Sequence, residues 1–366
     1  MKWSLCVIAR DNENTIGQTL ASVAPFIDEI IVVDTGSTDR TKEVAESHGA
    51  VTYDFEWVDD FAAARNFSFS KATGDWVMWL DTGDVVPPES ARAFQQLKRS
   101  AAVNDPDDPL EGFVVRINRH ITDEGEVLSW YLIPRLVRRS ANPVWIEPVH
   151  EVVHTDNDRM QVFRDAWVDD PVALGNPGSN RNLRILERLE AEGRDDAWLW
   201  FHIASEHFVH KDWQPAIDYY LRMLKSGEFT YRRYVALTNI HLCYTGLGEP
   251  GRGIDYLLQA VYFNPSRAEA FITIGDWFFD NDQWEFARPF YQAVLGLAIP
   301  SDGSWANPNA YGHYPHGKLA FCHYGAGHTK EALAEFREAL RLAPEMHREP
   351  YRRVIKQIQH ERKGKP

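Results

Sequence analysis

The segment Gly74–Asp84 constrains the fold most strongly, because in it an apolar run ends abruptly at two carboxylates. Residues 76–80 read Trp-Val-Met-Trp-Leu with no polar face, which is typical of a strand covered on both sides of a sheet. Acidic residues at the carboxyl end of such a strand lie where α/β proteins bind ligands. Asp81 and Asp84 therefore predict a site whose hard oxygen ligands suit Mn²⁺ or Mg²⁺. A solvated turn, in which Asp and Gly are common, is the alternative.

Strand and helix patterns alternate before this segment. Strands are expected at 5–9, 29–33, 51–55 and 75–80, with helices at 15–24, 41–48 and 61–72. This alternation predicts a mainly parallel sheet with right-handed crossovers. Further strands at 112–117 and 127–131 predict a hairpin across the turn at Asp123–Gly125.

Polar clusters follow three of the early strands, at 10–13, 34–39 and 81–84. Because parallel strands end at one edge of the sheet, these clusters are expected to converge on one crevice. Neither a dinucleotide-binding glycine motif nor a P-loop is present, so side chains and metal would have to hold a nucleotide.

The second half of the chain has a different pattern. Pro and Gly cluster near 171–178, which predicts a boundary between a domain at 1–175 and one at 176–366. Beyond it, helices are expected in four pairs, at 197–208 with 214–224, 233–244 with 252–262, 269–279 with 285–297, and 317–324 with 330–342. Small residues recur in the second helix of each pair, at Ala216, Gly253, Ala287 and Ala332. This pattern, with a period of about 34 residues, resembles tetratricopeptide repeats, and an insertion is expected at 301–315. Such repeats stack into an all-α solenoid with a concave face.

Composition limits the classes of partner. The formal net charge of −14 argues against a nucleic-acid partner. The three cysteines are far apart, which favours reduced and buried thiols over a disulfide framework or a zinc ribbon. No segment reaches the roughly 18 apolar residues of a membrane span, and the N-terminal strand is too short for a signal sequence. A cytoplasmic protein is therefore expected.

Four motifs carry a resemblance to a known family. They are Ile8–Glu13 (IARDNE), Ile31–Asp39 (IVVDTGSTD), Asp59–Asn66 (DDFAAARN) and Gly74–Asp81 (GDWVMWLD). In order and spacing they resemble family 2 glycosyltransferases of GT-A fold, and within them the bacterial subgroup of SunS-like peptide glycosyltransferases and lipopolysaccharide-core glucosyltransferases. The resemblance implies an α/β GT-A domain with a Rossmann-like mixed sheet, followed by the helical solenoid.

The resemblance also implies roles for residues that hold the donor. Asp34 would face the nucleobase of a nucleotide-sugar, in the first instance a UDP-sugar. The backbone of Ala9 and Arg10, together with Glu13, would surround the nucleoside.

The diphosphate and sugar would be held by the remaining matched positions. Arg65 would reach the base or the pyrophosphate, since a guanidinium suits phosphate oxygens, and Asp81 would contact the ribose or the sugar. Arg135 would contact the diphosphate, with a solvated basic face as the alternative. Mn²⁺ or Mg²⁺ would bind Asp84, but the subgroup has an aspartate where this chain has Gly83, so a weakly bound metal or none is the alternative.

A His-Glu pair at 150–151 also resembles the subgroup. A neutral imidazole can complete a metal shell, and a carboxylate can take a proton from an acceptor hydroxyl or thiol. We therefore expect His150 to contact the metal or diphosphate and Glu151 to be the general base. A structural His and Glu are the alternative.

The function predicted in this way is inverting transfer of a sugar from a nucleotide-diphosphate donor to a protein or peptide. The helical array would hold the acceptor or form a homodimer. The alternatives are a glycan, lipopolysaccharide or modified-DNA acceptor, and a catalytically inactive repeat scaffold, which Gly83 favours.

Overall fold

The computed structural model describes residues 1–100, 110–122, 125–170, 180–227, 229–300 and 304–363. Its contacts divide the chain into two compact units, Met1–Ile185 and Leu186–Pro366. The expected domain boundary at residues 175 and 176 lies outside the described residues, as do Asp123 and Glu124 of the expected turn.

The first unit is an α/β unit built around one mixed sheet. Its strands are β1 Trp3–Ala9, β2 Glu29–Asp34, β3 Val51–Asp54, β4 Trp76–Trp79, β5 Gly112–Ile121, β6 Val127–Arg138, β7 Val144–Ile146, β8 Val152–His154 and β9 Met160–Asp170. Its helices are α1 Ile16–Val23, α2 Thr41–Ser47, α3 Phe61–Lys71 and α4 Pro88–Arg99, and α5 Arg181–Ala191 begins in this unit.

Seven of the strands form the sheet, in the order β3-β2-β1-β4-β6-β5-β9. Strands β1 to β4 run parallel to one another, whereas β6 is antiparallel to both β4 and β5. The expected hairpin is confirmed, since β5 pairs with β6 and Ile117 lies opposite Tyr131. Strand β9 and helix α4 were not anticipated from the sequence. Strands β7 and β8 form a separate antiparallel pair.

The apolar run in β4 builds two cores, one on each face of the sheet. Successive side chains of a strand point to opposite faces, so Trp76 and Met78 join the core that includes α1 and α4. Val77 and Trp79 join the core that includes α3, β7 and β8. All four side chains are buried, as expected for a strand covered on both faces. Trp79 is thereby placed on the α3 side at the end of the strand.

The second unit is helical, as the repeat pattern predicts. Its remaining helices are α6 Ala197–Val209, α7 Trp213–Lys225, α8 Tyr231–Gly246, α9 Pro250–Phe263, α10 Ala268–Asp280, α11 Trp284–Val294, α12 His313–Gly325, α13 Thr329–Leu342 and α14 Glu345–Lys363. The four small residues of the repeat pattern are buried. The packing at Gly253 is close, because a Cβ atom there would lie 2.7 Å from the Cα atom of His241.

Two details of the second unit differ from the sequence prediction. Helix α12 begins at His313, so the expectation of an insertion as far as Pro315 was wrong. Proline is tolerated in the first turn of a helix, because the amide it lacks has no partner there. The terminal helix α14 was not anticipated. Across the described residues, no helix has the length and apolar character needed to cross a membrane.

Candidate functional site

The loops that follow β1 and β2 are tied together at one edge of the sheet. The amide of Asp11 donates to the Ser37 hydroxyl at 2.9 Å, and the amide of Thr38 donates to Asp11 Oδ1 at 2.8 Å. The carbonyl of Ala9 accepts from the amide of Thr35 at 2.9 Å. The first two polar clusters of the sequence therefore do converge.

Asp34 is a buried carboxylate at the tip of β2, with only 3% of the residue exposed. Its Oδ2 atom accepts hydrogen bonds from the amides of Gly36 at 3.1 Å and Ser37 at 2.9 Å. Gly36 has a φ of +103°, which a residue with a side chain rarely adopts. Asp34 Oδ1 has no hydrogen-bond partner among the described residues. A buried acceptor of this kind is expected to meet a donor from a ligand or an ordered water.

The other expected nucleoside contacts lie beside Asp34. Arg10 is half-exposed, with its Nε atom 3.8 Å from Asp11. Glu13 Oε2 accepts from the amide of Arg40 at 3.1 Å, at the beginning of α2. Glu13 therefore holds the loop, and its role toward a nucleoside stays a prediction.

Five of the expected residues meet in a single carboxylate–guanidinium cluster, formed by Arg65, Asp81, Asp84, Arg135 and Glu151. Arg65 donates from Nε to Glu151 and from Nη2 to Asp81, both at 2.6 Å. Arg135 Nη2 lies 3.0 Å from Asp84, and its Nη1 lies 3.7 Å from Asp81. Arg65, Asp84 and Arg135 are buried, whereas the Asp81 side chain is 51% exposed.

Two tryptophans hold the guanidinium groups of this cluster. The Cζ atom of Arg65 lies 4.4 Å from the Trp79 ring centre and 4.9 Å from that of Trp145. Arg135 stacks on Trp79 at 3.7 Å. Asn66 fixes Trp145 through hydrogen bonds to its backbone amide and carbonyl, each 2.9 Å long. Sequence reasoning missed these roles, although Trp79 could have been placed by the alternation along β4.

The charges of the cluster shift the pKa values of its members. Burial opposes the charge of Arg65, but Asp81 and Glu151 outweigh it and raise the pKa of the guanidinium. Desolvation likewise opposes ionisation of Asp81, yet Arg65 and Arg135 hold its pKa below the ordinary value. Burial raises the pKa of Asp84 to about 6, although Arg135 favours its charged form. Asp81 therefore carries the negative charge more readily than Asp84.

The residues expected to bind a metal do not form a ready site. Asp84 Oδ2 accepts from the amide of Asp81 at 3.0 Å and also faces Arg135. His150 is exposed, with a φ of +53°, while the adjacent Glu151 points into the cluster. Among the described residues, no three His, Cys, Asp or Glu side chains are grouped so that they could hold an ion. The donor set present does not fit a preformed cation site, and the metal stays a prediction.

The far half of the sheet contributes residues that sequence reasoning missed. Arg119 of β5 and Asp170 of β9 form an ion pair of 2.9 Å. Arg119 helps to lower the pKa of Asp81, and Asp170 helps to raise that of Asp84, so both lie near the cluster. No sequence signal placed Asp170 there, because β9 was not anticipated, and Arg119 lies just beyond the strand expected at 112–117.

Comparisons with known proteins agree with this architecture. The family model described as glycosyl transferase family 2 matches residues 4–103. A TPR repeat-containing protein of Synechococcus elongatus is 30% identical over 289 residues, which cover 75% of this chain and 68% of that protein. The SPbeta prophage-derived glycosyltransferase SunS of Bacillus subtilis is 24% identical over 246 residues, 62% of this chain. That match covers 53% of SunS, so this chain spans about half the length of that relative.

Among solved structures, S. aureus TarS superposes with a TM-score of 0.38 at 15% identity, covering 69% of this chain and 54% of TarS.

Proposed function

The chain belongs to the family 2 glycosyltransferases that carry tetratricopeptide repeats, and on that premise we propose that it is an inverting transferase. Its donor is a nucleotide-sugar, a UDP-sugar, and its acceptor is a protein or peptide. The cytoplasm is the proposed compartment, and a homodimer stays a prediction.

The observation that carries the proposal is the Oδ1 atom of Asp34, buried and without a partner among the described residues. Such a carboxylate oxygen can accept a hydrogen bond from the imide N–H of uracil. Cytosine has no hydrogen at the corresponding ring nitrogen, which is itself an acceptor. Asp34 lies opposite Ala9 of β1, and β1 separates β2 from β4, so Asp34 and the cluster that follows β4 lie at least two strand spacings apart. That separation is on the order of 10 Å or more, which suits a nucleobase at Asp34 and a diphosphate at the cluster.

The cluster supplies the groups that such a reaction needs. Arg65 and Arg135 favour the negative charge that develops on the departing nucleoside diphosphate. In this proposal the half-exposed Asp81 accepts a hydrogen bond from a ribose or sugar hydroxyl. Each guanidinium is held rigidly by Trp79, which lowers the cost of ordering it when the donor binds.

Glu151 is the proposed base. Its carboxylate accepts the proton of the acceptor hydroxyl or thiol while that nucleophile forms a bond to the anomeric carbon. The bond from this carbon to the diphosphate oxygen breaks on the opposite face, which inverts the configuration. The hydrogen bond from Arg65 fixes the direction of the carboxylate.

Binding of Mn²⁺ or Mg²⁺ stays part of the proposal to be tested, because a cation at Asp84 would have to displace Arg135. Titration of UDP in the presence of EDTA and then of Mn²⁺ checks this. Affinity that rises at least tenfold with Mn²⁺ supports a metal site, and equal affinities argue for a donor held by arginines alone.

An inactive scaffold is the second candidate function, favoured by Gly83 and by the pairing of Asp84 with Arg135. A glycan, lipopolysaccharide or modified-DNA acceptor is the alternative for an active enzyme, although the net charge of −14 argues against DNA.

The experiment that separates these functions is calorimetric titration with UDP and CDP. We expect UDP to bind at least tenfold more tightly than CDP, and Asp34→Asn to remove that preference, because its amide donates where the carboxylate accepts. Asn retains an oxygen for the amides of Gly36 and Ser37, so an unchanged unfolding midpoint is the control. An absence of binding by both nucleotides would remove the UDP-sugar donor and favour the scaffold. Glu151→Gln should lower sugar transfer by at least a hundredfold while UDP still binds.

A further inference from the structure

A cavity of about 330 Å³ lies beside the carboxylate–guanidinium cluster, between β6 and the β7–β8 pair. Its lining includes Trp79, Ile133, Trp145, Glu151, Val153 and Met160. We call it the Trp145 cavity. Glu151, Trp79 and Trp145 belong both to its wall and to the surroundings of Arg65. Anything that occupies this cavity therefore lies next to the carboxylate that we propose as the base.

The walls of the Trp145 cavity are apolar, with few polar groups. His154 and Asp158 also line it, and they form a 3.0 Å pair in which each side chain is about half exposed. The indole Nε1 atom of Trp145 is buried and has no hydrogen-bond partner within the described part of the chain. A volume of this size is typical of the small end of ligand-binding pockets.

This chemistry discriminates between classes of acceptor. A sugar unit carries hydroxyl groups around its ring, and most of them would be buried here without a partner, which is unfavourable. An aromatic or aliphatic side chain gains from the same walls, because it leaves water for an apolar surface.

We propose that the Trp145 cavity receives an apolar side chain of a peptide acceptor, adjacent to the residue that is glycosylated. This inference rests on the proposed transferase function, since Glu151 defines where the nucleophile lies. The residue next to the nucleophile therefore determines specificity, through its contacts with Trp145, Val153 and Met160.

A matched pair of substitutions on the β7–β8 pair tests the proposal. Val152 lines the cavity and is 43% exposed, so Val152→Trp should fold and place an indole against the opening. Ile146 lies directly opposite Val152, is also 43% exposed and is not part of the cavity lining, so Ile146→Trp is the control. The probes are acetyl-Phe-Ser-amide, acetyl-Gly-Ser-amide and maltose, with binding measured by saturation-transfer NMR on the full chain.

We expect the Phe peptide to bind at least tenfold more tightly than the Gly peptide or maltose. Val152→Trp should weaken it at least tenfold, and Ile146→Trp should leave it within twofold. Equal binding of the two peptides, tighter binding of maltose, or equal effects of the two variants would each overturn the proposal.

Titration with UDP in the same samples separates this inference from the proposed function. UDP binding without a preference for the Phe peptide leaves the transferase and removes the apolar acceptor site. Binding of the Phe peptide that is sensitive to Val152→Trp, with no UDP binding, supports an apolar peptide site and removes the transferase.

Discussion

Arg65 makes two ion pairs of equal length that should differ in energy, and replacing it by methionine tests this. Both distances are 2.6 Å, but the Glu151 side chain is 13% exposed and that of Asp81 is 51% exposed. Solvent screens the second pair, which should contribute about 0.2–1 kcal/mol. Removing one partner of a buried pair costs about 3–5 kcal/mol, because the other charge is left without compensation.

Arg65→Met should therefore lower the free energy of unfolding of the first unit by about 3–5 kcal/mol. Nearly all of this loss should arise because the buried carboxylate of Glu151 is left without its cationic partner. Methionine retains much of the apolar contact with Trp79 and Trp145, so the comparison isolates the charge. Double-mutant cycles with Glu151→Gln and Asp81→Asn should give coupling energies of about 2 kcal/mol or more and about 1 kcal/mol or less, respectively.

Hydrogen exchange in urea, followed on peptides from 61–71, reports the unfolding of this unit separately from the repeats. A coupling to Asp81 as large as that to Glu151 would refute the reasoning from burial. A cost below about 1 kcal/mol for Arg65→Met would refute the claim that the cluster is desolvated.

Two further predictions concern Asp84 and the repeats. Asp84 has a folded-state pKa of about 6, above the ordinary value of 3.8, because its protonated form is favoured in the folded protein. The stability that this preference provides is therefore complete below pH 3.8 and is lost as the pH rises through 6. Relative to Asp84→Asn, the native protein should gain about 2–3 kcal/mol of unfolding free energy between pH 7 and pH 4. Urea denaturation at both pH values checks this, and no change in the difference would contradict the raised pKa. In helix α9, Gly253→Ala should destabilise the second unit by about 1–3 kcal/mol, because its Cβ would overlap His241. Gly251→Ala in the same helix meets nothing within 4 Å and should stabilise it by about 0.5–1 kcal/mol; equal thermal shifts for the two variants would show that the contact at Gly253 does not matter.

The sequence by itself determined the type of most elements, although β9, α4 and α14 were not anticipated. An unbroken apolar run indicated a strand buried on both faces at 76–79, and the spacing of small residues indicated paired helices with Ala216, Gly253, Ala287 and Ala332 at their contacts. Both signals are local, because the period of a strand or helix can be recognised from residues that lie close together in the sequence. The parallel order of β1 to β4 followed from the alternation of elements.

Only the tertiary structure decided which charges meet. Arg65 is paired with Glu151, 86 residues further along the chain, and no local pattern encodes that contact. Asp84 was expected to face a cation, but the fold places the guanidinium of Arg135 against it, because β6 runs antiparallel beside β4. The Trp145 cavity likewise exists only where β6 and the β7–β8 pair come together. Pairings between distant segments depend on how the strands are ordered in the sheet, and a single sequence carries that order only weakly.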